Sequence, residues 1–136
     1  MSTPSPPTLL RAEAVVTDYW RERLAEHCAG GRALPRITHM AFGDGGHVGS
    51  SARPAPANRS ALYAERVRVP IVSQSRPAPT EALSIAELNA ASAPPGMAFS
   101  EAGLIDADGG LVAWRTMAPK VVDAGEVYEV RIMPRF

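Results

Sequence analysis

Thirteen prolines are spread along a chain of 136 residues. Proline cannot donate to a central β ladder, and it breaks a helix interior. A chain interrupted this often must be built from short elements joined by irregular segments. From Leu9 to Cys28 there is neither proline nor glycine. Within that stretch Val16, Trp20, Leu24 and Cys28 recur every four residues, with Ala12 one turn earlier, and Arg21, Glu22, Arg23 and Glu26 fall mostly off the stripe. The spacing predicts an amphipathic helix over residues 9–29, opened by Thr8 as N-cap and closed by Gly30-Gly31. Residues 1–8, with three prolines and no charge, read as a flexible arm.

Beyond the helix the apolar period changes. Ile37 to Phe42 reads as a strand, followed by Gly43-Asp44-Gly45-Gly46, a turn in which glycines supply positive φ. Residues 46–60 read as a long loop. Val67, Val69 and Ile71 alternate with Arg66 and Arg68 as in a half-buried strand, and Pro70 makes it an edge strand or a bulged one. Leu83 to Leu88 reads as a strand or a short helical turn, with strand favoured, and Phe99 to Ile105, Leu111 to Met117 and Val127 to Met133 supply further strands. Asp106-Ala107-Asp108-Gly109-Gly110 carries a hairpin signal between two of them. The fold class expected is α+β: one N-terminal amphipathic helix, then a mostly antiparallel sheet or sandwich of five to six short strands with long Pro-rich loops. The β region spans about 36–134, and residues 9–136 form a single domain.

Charge and cysteine content exclude several functions. Fourteen basic and fourteen acidic residues balance to zero net charge, and neither half is basic enough for a nucleic-acid-binding tail. A single cysteine, Cys28, excludes an internal disulfide framework and a multi-cysteine zinc site. No apolar run approaches the ~20 residues of a membrane span, and the N-terminus lacks the core of a signal peptide. The composition reads as soluble and intracellular in origin.

Little chemistry is on offer. Asp106-x-Asp108-Gly109 begins like a calcium loop, but Met117 stands at the twelfth position where the pattern needs Glu. Gly43-Asp44-Gly45-Gly46 lacks the Lys-Ser/Thr of a phosphate loop. His27 and Cys28 are adjacent on a helix and diverge by about 100°; His39 reads as a structural hydrogen-bonding residue. No enzyme, cofactor or metal is expected. Glu65, Arg68 and Glu101 lie on neighbouring strand candidates, and an Arg68–Glu101 cross-strand pair would fix register. The rival readings are a small metal-binding domain using Asp44, Asp106, Asp108 or His39, and a glycan-binding sandwich stacking sugars on Trp20, Trp114 or a tyrosine.

Three stretches together resemble the N-terminal attachment region of phage tail-collar fibre proteins. The first is Ile37-Thr38-His39-Met40-Ala41-Phe42-Gly43-Asp44-Gly45. The second is Leu62, then Glu65-Arg66-Val67-Arg68-Val69-Pro70-Ile71, where the family has Glu-x-x-Arg-x-Pro-Ile. The third is Glu101-Ala102-Gly103-Leu104, leading into the Asp106 to Gly109 hairpin. The resemblance covers roughly residues 9–133. It implies a structural protein without a catalytic site, located in the virion and made in the bacterial cytoplasm. It further implies a homotrimer partnered by baseplate or tail proteins and by a fibre or receptor-binding protein, with no nucleic acid and no membrane. Its implied structural positions are Thr38, His39, Gly43, Asp44, Gly45, Glu65, Arg68, Pro70, Glu101, Gly103, Asp106 and Gly109. The Ala- and Pro-rich segment 73–98 departs from the pattern, and no fibre shaft follows. The expectation is therefore an attachment adaptor between a baseplate and a separate fibre. An assembly factor absent from the mature particle is the alternative within this class. Val16, Trp20 and Leu24 would form a candidate interface on the helix, either for self-bundling or for docking, unless the helix packs on its own sheet.

Overall fold

The computed structural model describes residues 14–134. The chain is mostly β, and the described residues contain one short helix. The elements run β1 (Val15–Val16), α1 (Asp18–Cys28), β2 (Ile37–Gly43), β3 (His47–Val48), β4 (Ser51–Ala52), β5 (Glu65–Pro70), β6 (Ser73–Ser75), β7 (Leu83–Asn89), β8 (Ala98–Asp106), β9 (Leu111–Val121) and β10 (Val127–Ile132). All pairings are antiparallel. A five-stranded sheet has the order β1-β9-β8-β2-β5, a three-stranded sheet β10-β7-β6, and β3 and β4 form a separate hairpin.

The α+β expectation is therefore corrected, and the reason lies at the start of the predicted helix. Val15 and Val16 are β-branched, and they pair with Trp114 and Ala113 along β9. Val16 is buried from a strand, and Trp20 from the first turn of a helix that starts only at Asp18. Their four-residue spacing is thus not a helical period. Thr17, rather than Thr8, is the N-cap: its Oγ1 accepts from the Trp20 N–H at 3.2 Å and donates to the Leu111 carbonyl at 2.6 Å. Cys28, expected on the apolar stripe, is exposed. The proposed arm, residues 1–8, lies outside the described residues, as does Ala12.

The five-stranded sheet is covered on both faces, which explains why β8 is buried along almost its whole length. On one face Met40, Phe42, Val69, Ala102, Leu104 and Val112 join Ala86, Leu88 and Ile132 of the three-stranded sheet in a single apolar cluster. Phe99 links the layers, with its ring edge-on to Phe42 at 6.1 Å and tilted against Tyr128 at 5.9 Å. Each such side chain contributes about 1.5–3 kcal/mol on burial. On the other face Ala41, Ile105, Leu111 and Trp114 lie under Leu62, with Ala55 and Tyr63 packed against them.

That second cover comes from the proline-rich segment between β4 and β5. Carbonyls of this segment accept from the sheet, from the start of α1 and from the segment itself. The Trp114 indole N–H donates to the Pro56 carbonyl at 3.1 Å, and the Asp18 N–H to the Ala57 carbonyl at 2.8 Å. Tyr63 donates to the Pro54 carbonyl at 2.8 Å while Arg53 and Arg59 stack over its ring at 3.6 and 4.2 Å. This segment, which overlaps the stretch 46–60 read as a long loop, is thus a fastened strap over the sheet.

Candidate functional site

The three sequence motifs lie on three adjacent strands. β2 carries the first, β5 the second and β8 the third, and β2 sits between the other two. Within this triplet the geometry converges on Glu101. This residue is fully buried on β8, paired in register with Gly43 of β2 and Thr116 of β9. Between Phe42 and Gly43 the pairing of β2 with β5 shifts register, and Gly43 pairs with Glu65. The Glu101 carboxylate lies against this irregularity. Its Oε1 accepts from the Tyr63 N–H at 2.7 Å, and its Oε2 from the N–H groups of Ala64 at 2.8 Å and Gly45 at 3.0 Å.

Charge-assisted bonds to backbone amides are a stable way to keep a carboxylate inside a fold. Next along β8, the buried Ser100 Oγ accepts from the Gly46 N–H at 2.8 Å and shares a hydrogen bond with His47 Nδ1 at 2.7 Å. Two neighbouring side chains of one strand thereby fix residues 45–47 and 63–64.

Arg68 does not pair with Glu101. It makes two bonds of 2.9 Å to Glu65, three residues away on the same strand, and that pair is exposed. Asp44 is engaged by Arg66, whose Nε lies 3.0 Å from both carboxylate oxygens. The glycines of the Gly43 to Gly46 loop are not there for positive φ, since none adopts it. They are there for space. A Cβ on Gly43 would overlap the Ala64 carbonyl oxygen and Glu101 Oε2, and one on Gly46 would overlap the Ser100 carbonyl oxygen.

The remaining residues of the three stretches make contacts within the sheet and its turns. Thr38 and His39 share a hydrogen bond of 2.9 Å through Oγ1 and Nδ1. Pro70 ends the edge strand β5 opposite His39. Gly103 leaves room for Leu111, Leu62 and Trp114. Asp106 is buried and organises the β8–β9 hairpin: its Oδ1 accepts from the Asp108 and Gly110 N–H groups, each at 2.9 Å. Gly109 takes φ of 85° there, a conformation that glycine adopts without a Cβ clash.

The hairpin also docks α1. Tyr19 donates to Asp106 Oδ2 at 2.7 Å, and Arg23 pairs with Asp108 at 2.7 Å. Val16 and Trp20 are buried in the protein's own core and Leu24 packs against it, so the candidate interface stripe faces inward. Burial, together with the bond to Asp106, pushes the Tyr19 hydroxyl above its ordinary pKa. Burial raises Tyr128 as well, helped by its bond to Glu126. Above about pH 10 the unfolded chain releases these protons first, so the native state binds more protons and stability falls as pH rises. The contribution is present in full below that pH. Tyr19→Phe is expected to lose about 1–2 kcal/mol at pH 7 and to show a shallower fall above pH 10 than the wild type. Urea titrations at pH 7, 10 and 11 measure both.

No group of three or more His, Cys, Asp or Glu side chains converges among the described residues. Trp114 and Trp20 are buried and offer no ring face to a sugar. The sequence profile of the phage tail-collar fibre protein N-terminal family matches residues 11–121. The chain belongs to this family. No curated protein and no solved structure matches it. As a tail-collar fibre protein it is a structural component of a phage tail. No helix among the described residues is long and apolar enough to cross a membrane. Sequence reasoning singled out Glu101 but missed its partners, Tyr63 and Ala64 and the slip beside Gly43. It missed Ser100, whose donor at Gly46 is a backbone N–H that leaves no mark in a sequence, and Tyr19, whose partner Asp106 is 87 residues away.

Proposed function

We propose that this protein is the attachment adaptor of a tail: a non-enzymatic part that joins a fibre or receptor-binding protein to the baseplate. The observation that supports this best is the use made of Glu101. A buried carboxylate is the most versatile catalytic group on the β8–β2–β5 triplet, and both its oxygens are committed to three backbone amides. The motifs thus produce a rigid shape, and rigidity suits a joint that transmits load between two assemblies. The matched family region is the N-terminal part of a fibre protein, the end that the resemblance assigns to the tail.

Cys28 is the single cysteine and is exposed at the end of α1, which makes it a specific handle. A photo-cross-linker attached there, in particles assembled with the labelled protein, is expected to capture a baseplate or fibre protein. Peptide mass spectrometry of unlabelled particles is expected to find the chain in fixed ratio to tail proteins. Protein abundant in the lysate but missing from purified particles overturns the adaptor and leaves an assembly factor.

A further inference from the structure

Between Asp44 and Glu65 the chain has no acidic residue. It has two arginines there: Arg53 opens the proline-rich strap, and Arg59 follows its prolines. Both turn back over one ring, with their guanidinium carbons 3.6 and 4.2 Å from the centre of Tyr63. Neither pairs with a carboxylate among the described residues. The acids at either border are taken, Asp44 by Arg66 and Glu65 by Arg68. Glu101, which reaches the Tyr63 N–H, spends both oxygens on backbone amides. The positive charge of the strap is therefore unbalanced.

Stacking on a ring leaves a guanidinium free to donate, because its N–H groups lie in its own plane. Arg53 gives one of its five donors to the Gly45 carbonyl, and Arg59 gives two, to the Ala61 and Leu62 carbonyls. These bonds and the ring hold both forks in place before any ligand arrives, which lowers the entropy lost on binding. On and beside the strap Val48, Ala52, Pro54, Pro56 and Ala61 are exposed, Val48 at 72 %. Small apolar surface around a tyrosine and two arginines is the composition of a protein-binding hot spot.

We propose that the strap is the docking surface for an acidic, extended segment of another tail protein, in which carboxylates two residues apart are each gripped by one of these arginines. Two steps along an extended chain rise about 6.7 Å. The two cations, stacked on one ring, are separated by no more than the sum of their distances from its centre, and the spacing fits within that limit. A second copy of this chain cannot supply the segment. Its single pair of acids two residues apart is Asp106 and Asp108. Asp106 is buried in the hairpin turn, and Asp108 is paired with Arg23. The class of partner rests on the adaptor reading above, whereas the preference for acids rests on the strap alone.

A peptide of alternating glutamate and serine is the probe. Calorimetric titration into the purified protein is expected to show binding that weakens as salt rises, and none for a peptide of alternating lysine and serine. Arg53→Gln with Arg59→Gln is expected to weaken binding roughly tenfold or more. Asn58→Glu adds a negative charge beside Arg59 at an exposed position whose side chain makes none of the strap's bonds, and it is expected to weaken binding without changing melting. Arg36→Gln, at an exposed arginine outside the strap, is expected to leave binding unchanged. No binding of the glutamate peptide overturns the proposal, as does an equal loss in Arg36→Gln. In assembled particles, a photo-cross-linker on Ser60→Cys, with Cys28→Ser, is expected to capture a segment of another tail protein with acids two residues apart. A captured segment without acids, or one from a second copy of this chain, overturns the docking proposal and leaves the adaptor in place. Absence of the chain from purified particles overturns the adaptor and, with it, the class of partner.

Discussion

Glu101→Ala is expected to cost about 3–5 kcal/mol, because three backbone amides lose one charged acceptor. That is a large part of the 5–15 kcal/mol that holds a typical small protein together, so the variant should be largely unfolded at modest urea. Removing the carboxylate leaves the amides of Gly45, Tyr63 and Ala64 without an acceptor. Each orphaned donor carries roughly 1–3 kcal/mol of desolvation. These residues are half-buried, so water reaches them in part and the lower end of that sum applies. Glu101→Gln keeps one acceptor oxygen and turns an NH2 group on a backbone donor, so it is expected to lose about 2–3 kcal/mol. Arg68→Ala, by contrast, removes only an exposed pair with Glu65 and is expected to stay within about 1 kcal/mol of wild type. Urea unfolding followed by the fluorescence of the buried Trp20 and Trp114 reads all three. Equal losses in Glu101→Ala and Arg68→Ala would sink the account, since that is what a direct Arg68–Glu101 pair produces.

That contrast also shows where the sequence was readable. Six strands, β2, β5, β7, β8, β9 and β10, stand where alternation and turn residues placed them, because a half-buried strand writes its period into its side chains. The edge position of β5 followed from Pro70 for the same kind of reason. The helix was overextended because Val16 and Trp20 are both buried, and burial alone does not distinguish a strand residue from a helix residue four positions on. β3, β4 and β6 are two or three residues long and carry no measurable period. β9 runs past Pro119 to Val121 because its register with β8 shifts between Phe99 and Glu101, and that irregularity accommodates the proline. The site was legible as a set of residues but not as a set of contacts. Charges of opposite sign at Arg68 and Glu101 invite a pairing, whereas the donors that Glu101 uses belong to the peptide backbone and are the same in every sequence.

The glycine beside this carboxylate sets up the second large effect. Gly43→Ala is expected to lose about 3 kcal/mol, at the upper end for overpacking a closed site. The added methyl meets the Ala64 carbonyl and Glu101 Oε2, and neither can withdraw. The Ala64 carbonyl accepts from the Asp44 N–H at 3.2 Å, and the Glu101 oxygen is held by two amides. Relief therefore requires β2 and the segment before β5 to move apart, which breaks the same three bonds that Glu101→Ala breaks. The two changes are consequently coupled: combined in one chain they should cost clearly less than their sum, by 1 kcal/mol or more in a double-mutant cycle. Gly49→Ala is the matched control. Gly49 sits in the β3–β4 turn with φ of 62° and open space around it, so its cost of about 1–2 kcal/mol comes from backbone conformation alone. That cost should add in full to Glu101→Ala. If Gly43→Ala instead adds in full while Gly49→Ala does not, the loop is not held by the carboxylate, and the cradle fails as the explanation of the first motif.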